Sequence, residues 1–221
     1  MSKEAVILLH GLARTKKSMQ SLANSLQQAG YFIVNHAYAS RADKVEALAK
    51  REIPLALGKC PQEIEQIHFV THSLGGILLR RYLLDHKISK ISRSIMLGPP
   101  NQGSEIVDKL GHLKLFELIN GAAGLQLGTA ANQHAESLPD SLGDWPSHAG
   151  ELGIIAGRYS VNLFLSTLIP GADDGKVSVE SSKLAGMTDH LVMPTTHTFM
   201  MSSPPVIKQV QAFLAQGEFE R

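Results

Sequence analysis

The chain has little of several things that would point away from a self-contained globular enzyme. It holds one cysteine, Cys60, in 221 residues. A single thiol excludes an internal disulfide framework and a Cys-rich zinc ribbon. A surplus of charge of one sign is missing too, since 21 Lys+Arg face 20 Asp+Glu for a formal net charge of +1. Without a field to steer polyanions, nucleic acid is not an expected partner. Long hydrophobic runs are also lacking. The longest near the N-terminus, Ala5–Leu9, falls far short of the ~18 residues that a membrane span needs. It follows Met-Ser-Lys-Glu directly, without the h-region and small-residue cleavage site of a secretory signal. These absences predict a soluble, cytoplasmic protein. Its length suits one domain over 1–221, able to bury about 70% of its unfolded surface without a metal or disulfide staple.

Short apolar runs alternate with longer helix-like stretches, the pattern of βαβ units and a parallel sheet. Ala5–Leu9 reads as a fully buried strand closed by His10-Gly11. Further strands are expected at Tyr31–Tyr38, Ile67–Thr71, Ile91–Leu97, Leu152–Ala156 and His190–Thr195. Helices are expected at Ser18–Ala29 with Ser18 as N-cap, at Asp43–Leu57 with Pro54 disturbing its last turn, and at Ile77–Leu84. A last helix suits Pro205–Ala215, with proline at its tolerant start. Residues 101–150 break the rhythm. Ser104–Ile119 has helical spacing, Gly121–Gly128 is rich in Gly, Ala and Leu, and Pro139–Pro146 reads as loop. A crossover helix with a surface loop would explain it, but a long insertion in a compact domain favours a small cap beside a site.

Ser73 carries the chemistry. It stands between a strand pattern and a helix pattern, inside Thr71-His72-Ser73-Leu74-Gly75-Gly76. A nucleophile elbow, Gly-x-Ser-x-Gly, needs that strand–turn–helix context and small flanking residues. Thr71 replaces the first glycine, and its β-branch crowds the turn without forbidding it. The plainer alternative is a serine that only caps the following helix.

A serine hydroxyl needs a histidine to take its proton and a carboxylate to orient that histidine. In an open parallel sheet the site lies at the carboxyl ends of the strands. Of the ten histidines, His197 follows the last strand at that end. His68 and His190 open their strands and lie at the other end. His86, His112, His134 and His148 fall in helix or insertion, His10 and His72 flank the site but each adjoins a turn residue with its own job, and His36 is the fallback. Among acids, Asp173 and Asp174 lie past the fifth strand in a Gly-rich turn, which could be turn chemistry alone. Asp189 precedes the sixth strand, at the wrong end. The order serine, acid, histidine is the one found in α/β-hydrolases. The oxyanion needs two backbone donors. Leu74, after the serine, supplies one, and Leu12 in the His10-Gly11-Leu12-Ala13 loop the other, unless Gly11 merely ends its strand. Gly11–Ser18 also approaches a phosphate-binding loop, but Lys16 replaces its second glycine, so the basic cluster reads as a solvated loop face.

Taken together, Ile7-Leu8-Leu9-His10-Gly11-Leu12, the Thr71–Gly76 segment, Asp174-Gly175-Lys176-Val177 and His197-Thr198 resemble the α/β-hydrolase superfamily in order and spacing. The likeness is to small bacterial lipase- and esterase-like members. Pro100-Asn101-Gln102-Gly103-Ser104 also resembles the matching segment of acyl-inositol-deacylase-like relatives. The resemblance implies a minimal six-stranded, mainly parallel sheet flanked by helices, without the first two strands of the full fold. It implies Asp174 as the acid, because relatives often carry Asn-Asp-Gly there. It further implies acyl-ester hydrolysis by Ser73, His197 and Asp174 with no cofactor or metal, on a small-molecule or lipid-like ester. Leu110, Leu113, Leu115, Phe116 and Leu118 would line an acyl-binding cap, or equally pack onto the sheet. A thioesterase, amidase or acyltransferase would use the same triad. A noncatalytic binding scaffold would not need it.

Overall fold

The computed structural model describes residues 3–104, 107, 121–129, 141–160, 169 and 171–221. Six strands form one sheet: β1 (Glu4–Leu9), β2 (Phe32–His36), β3 (Gln66–His72), β4 (Ile91–Leu97), β5 (Glu151–Gly157) and β6 (Asp189–Met193). Their order is β2-β1-β3-β4-β5-β6, and every neighbouring pair is parallel. The chain therefore starts in mid-sheet, winds out to β2, crosses back to β3 and proceeds to β6. That reversal between β1 and β3 opens a crevice beyond the carboxyl ends of the strands. The helices are α1 (Gln20–Gln28), α2 (Val45–Leu57), α3 (Leu74–Asp85), the one-turn α4 (Val179–Ser182) and α5 (Pro204–Gln216).

Period-two alternation along β1 divides the core between two faces. Ala5, Ile7 and Leu9 join Phe69 and meet Ile53 of α2 and Leu79 and Leu83 of α3. Val6 and Leu8 join Val70, Ile95 and Leu97 and meet Leu22 and Leu26 of α1 and Val206, Val210 and Phe213 of α5. All five β1 side chains from Ala5 to Leu9 are fully buried, as a parallel strand covered on both faces requires. A buried Leu or Ile contributes about 1.5–3 kcal/mol, so this strand is a large share of the fold's stability. Gly153 of β5 lets α5 approach, since a Cβ there would stand 2.7 Å from Phe213 Cε2 and 2.8 Å from Phe219 Cζ.

Several boundaries differ from expectation, each for a local reason. Ser18 does not cap a helix: Lys16–Met19 forms a 3₁₀ turn in which Ser18 Oγ donates to Thr15 O at 2.8 Å, and α1 begins at Gln20. Helix α2 begins at Val45, two residues later than expected, and ends at Leu57 as expected, with Pro54 in its last turn. Helix α3 starts at Leu74, three residues earlier than the apolar pattern suggested. The expected helix Ser104–Ile119 and the leucines proposed to line a cap lie almost wholly outside the described residues. At the edges of that insertion, buried Arg80 of α3 donates to Asn101 O (2.9 Å) and Gly143 O (2.7 Å), tying both flanks to that helix. Among the described residues no helix is long and apolar enough to cross a membrane.

Candidate active site

Strand β3 delivers Ser73 to the carboxyl rim, where the chain turns into α3. Ser73 has φ 50° and ψ −119°, a conformation that costs a residue with a Cβ roughly 1–3 kcal/mol. The surroundings hold it there. Ser73 N–H donates to Leu97 O at 2.9 Å, and Ser73 O accepts from Gly76 N–H at 3.0 Å. The serine side chain makes no capping hydrogen bond, so the plainer cap reading is not realised. Small residues let β1 press against the elbow: a Cβ on Gly75 would lie 2.7 Å from Leu9 O, and one on Gly11 2.6 Å from His72 Nδ1. Thr71 fits because its hydroxyl turns to β4, donating to Ile95 O at 3.3 Å, and because Gly76 leaves it room.

Past β5 and β6, Asp174 and His197 meet at the same rim, both almost completely buried. His197 Nδ1 lies 2.8 Å from Asp174 Oδ2. A carboxylate can only accept, so His197 Nδ1–H donates to it. Asp174 Oδ1 accepts from Lys176 N–H (3.0 Å) and Val177 N–H (2.9 Å), and Asp174 O accepts from His197 N–H (2.9 Å). The neighbouring Asp173 instead accepts from Gly175 N–H at 2.7 Å, closing the turn. Among the described residues neither Ser73 Oγ nor His197 Nε2 has a hydrogen-bond partner, and the two are not bonded to each other.

Two supporting residues escaped the sequence reading. Gly98 ends β4 at φ 54°, and a Cβ there would stand 2.9 Å from Asp174 Oδ2 and 3.0 Å from His197 Nδ1. Its signal was only a strand-ending glycine before two prolines. His72 lies under the site, its Nε2–H donating to His197 O at 3.0 Å and its ring 4.7 Å from the His197 ring. Burial first, then the neighbouring His197, hold its pKa well below the usual 6.5, so it stays neutral. Its Nδ1 is buried without a partner.

Leu74 opens α3, so its N–H has no partner within the helix. Leu12 lies in the turn that Arg14 N–H closes on Gly11 O (3.3 Å), while Ala13 N–H is taken by Ser40 Oγ at 3.0 Å. The loop is braced by His10, whose ring stacks on Tyr38 at 4.2 Å and whose carbonyl accepts from Tyr38 OH. The remaining candidates lie elsewhere. His36 is held by Glu52 (2.9 Å) and Lys59 (2.8 Å). His68 faces Glu4, His190 bonds Ser182, and Asp189 takes Phe219 N–H and Arg221 at the opposite rim. Among the described residues no cluster of three His, Cys, Asp or Glu is set to hold a metal.

Comparison with solved structures places this architecture. The mature Bacillus licheniformis lipase BlEst2 superposes with a TM-score of 0.68 at 20% identity, covering 96% of this chain and 90% of that one. The lin2722 gene product of Listeria innocua gives 0.66 at 17%, covering 100% and 96%. The metagenomic carboxyl esterase MGS0156 gives 0.69 at 15%, covering 89% of this chain and 65% of that one. The chain spans 44–50% of the length of some longer neighbours. No family model matches it, and no curated protein matches by sequence. With its all-parallel six-stranded sheet, the chain has the minimal α/β-hydrolase fold, shared with bacterial lipases and esterases.

Proposed function

We propose that the protein is a serine hydrolase of carboxylic esters. The observation that carries this reading is the buried His197–Asp174 hydrogen bond of 2.8 Å at the rim that also bears Ser73 in its strained turn. Ser73 Oγ attacks the ester carbonyl while His197 Nε2 takes its proton. The C=O π bond becomes an oxyanion held by the Leu12 and Leu74 N–H groups, each such donor being worth about 10²–10³ in rate. The imidazolium, steadied by Asp174, protonates the departing alkoxide, so the C–O bond breaks and an acyl-enzyme remains. Water then attacks, giving its proton to His197, and the acid leaves as Ser73 regains that proton. The unmade Ser73–His197 contact fits a resting site that tightens on substrate.

Support for an ester rather than another acyl bond comes from neighbours described as a lipase and a carboxyl esterase. The triad itself would also serve thioesters or amides. A fluorophosphonate probe with peptide mass mapping tests the nucleophile. The expected adduct lies on Ser73 and is absent in folded Ser73→Ala and His197→Ala. Oxygen esters, thioesters and anilides assayed side by side test the bond. Turnover of thioesters or anilides with none of oxygen esters overturns the ester reading, and an unlabelled Ser73 overturns the hydrolase.

A further inference from the structure

Two cations stand at this rim without a carboxylate of their own. Arg14 follows Leu12 by two residues, is half-buried, and rests one guanidinium nitrogen on Thr198 Oγ1 at 3.2 Å, next to His197. Lys176 follows Asp174 by two residues. Its backbone is pinned on both sides, N–H to Asp174 Oδ1 (3.0 Å) and C=O from Ser104 Oγ (2.9 Å). Arg51, Arg81 and Arg93 each hold a carboxylate. Among the described residues Arg14 and Lys176 hold none.

The acids near them are already engaged inward. Asp174 is shared between His197 and two backbone N–H groups, and buried Asp173 closes its own turn. The two cations also sense each other. Surrounding protein atoms first, and the Arg14 charge second, lower the Lys176 pKa, although part of its side chain reaches solvent. Both cations likewise help keep His72, the residue before Ser73, in its neutral form. The Asp174 carboxylate, already bonded to His197, offsets only part of this repulsion, and an anion bound between the cations would relieve more of it.

There is also room for a ligand. On the Arg14 side of the rim a groove of about 960 Å³ begins at Ala13, Arg14 and Thr15 and runs to Tyr38, Ser40 and Arg41; Ser73 and Lys176 are not among its described lining. That is the size of a small-molecule site, and no acidic residue is among its described lining. Arg14 has five N–H donors in a planar fork, and Thr198 uses one nitrogen, so donors remain for a carboxylate or phosphate.

We propose that Arg14 and Lys176 form an anion-recognising subsite beside Ser73, and that the preferred esters carry a carboxylate or phosphate near the scissile carbonyl. The inference rests on the ester-hydrolase reading and names its substrate class. The subsite draws one loop from β1 and one from the acid turn, so it exists only in the folded rim. It acts on binding, through charge-assisted hydrogen bonds that favour an anionic ester over its neutral match by about tenfold per cation.

Matched substrates test it. 4-Nitrophenyl butyrate is compared with mono-4-nitrophenyl glutarate, and 1-butyrylglycerol with 1-butyrylglycerol 3-phosphate. These pairs put the anion on the acyl side or the alcohol side and separate carboxylate from phosphate. The wild type is expected to prefer the anionic member of at least one pair by tenfold or more in kcat/KM, mainly through KM. Arg14→Gln and Lys176→Gln should each cut that ratio severalfold and the double variant should abolish it, with Arg14→Lys retaining part. Melting curves identify any variant that fails to fold, and the wild-type preference stands as an independent reading. Neutral esters turned over with no wild-type preference, or a preference that survives in the folded double variant, overturns the subsite while leaving the hydrolase. No turnover of any ester overturns both.

Discussion

Two histidine–carboxylate contacts of nearly equal length are buried in this molecule, and they do different things. His197 meets Asp174 at 2.8 Å, and His36 meets Glu52 at 2.9 Å. Both rings are almost fully enclosed. The difference lies in the second nitrogen. His36 spends its Nδ1 on Lys59, so the ring joins the end of β2 to α2 as a closed network. His197 spends Nδ1 on the acid and leaves Nε2 unengaged at the rim that bears Ser73. A carboxylate partner therefore does not by itself mark a base. Under the proposed function, the unspent nitrogen at the rim that bears Ser73 is what sets His197 apart from His36.

Substitutions that treat the two pairs alike should separate them most sharply. His197→Ala is expected to lower kcat on a neutral ester by about 10⁴–10⁶, and Asp174→Asn by about 10³–10⁴. His36→Ala should leave kcat/KM within a few-fold in stopped assays of the folded protein. A weaker disturbance of only the rim pair comes from Gly98→Ala, whose methyl would enter at 2.9–3.0 Å from both partners on a φ of 54°. A loss of about 10²-fold in kcat is expected, as for a small misplacement of reacting groups. An unchanged kcat would show that the pair tolerates displacement.

Stability should reverse the ranking. Glu52→Ala leaves the buried His36 Nε2 without its carboxylate, while Lys59 still meets His36 Nδ1 and Arg51 still holds Asp43, and denaturant titration should show a loss of about 3 kcal/mol with ester turnover retained. A last, graded effect is acid sensitivity. Burial lowers the pKa of His10, His68 and His72 below the usual 6.5. The unfolded chain then binds protons that the folded chain refuses, so stability is full above pH 6.5 and falls as pH drops below it. The slope is at most about 1.4 kcal/mol per pH unit for each group. Urea midpoints at pH 7.5, 6.5 and 5.5 measure it, and a flat profile would show that these rings charge without penalty.

Much of the sheet was legible because fully buried parallel strands leave continuous apolar runs; Ala5–Leu9 and Ile91–Leu97 read directly. Ser73 and His197 were legible through their positions at strand ends, which topology alone carries to one rim. The choice of Asp174 over Asp173 came only from the resemblance to relatives that carry Asn-Asp-Gly there, not from the residues' own pattern. Adjacent residues in one turn share every sequence signal, and only the direction of each side chain sends one to His197 and the other to Gly175 N–H. Gly98, His72 and Arg80 were missed because each is defined by what crosses over it from distant sequence. The start of α1 was misplaced because Ser18 prefers a local bond to Thr15 O over capping.

By itself, then, the amino-acid order determined where strands lie, which residue sits in the elbow and which histidine follows the last strand. These follow from local burial patterns and chain direction. Tertiary structure placed Asp174 rather than Asp173 against that histidine, and it alone decided which second histidine is consumed by its neighbours and that two cations without an ion pair share the rim. Such facts depend on distances between segments from 16 to 184 residues apart in sequence, and no local propensity encodes a distance across the sheet.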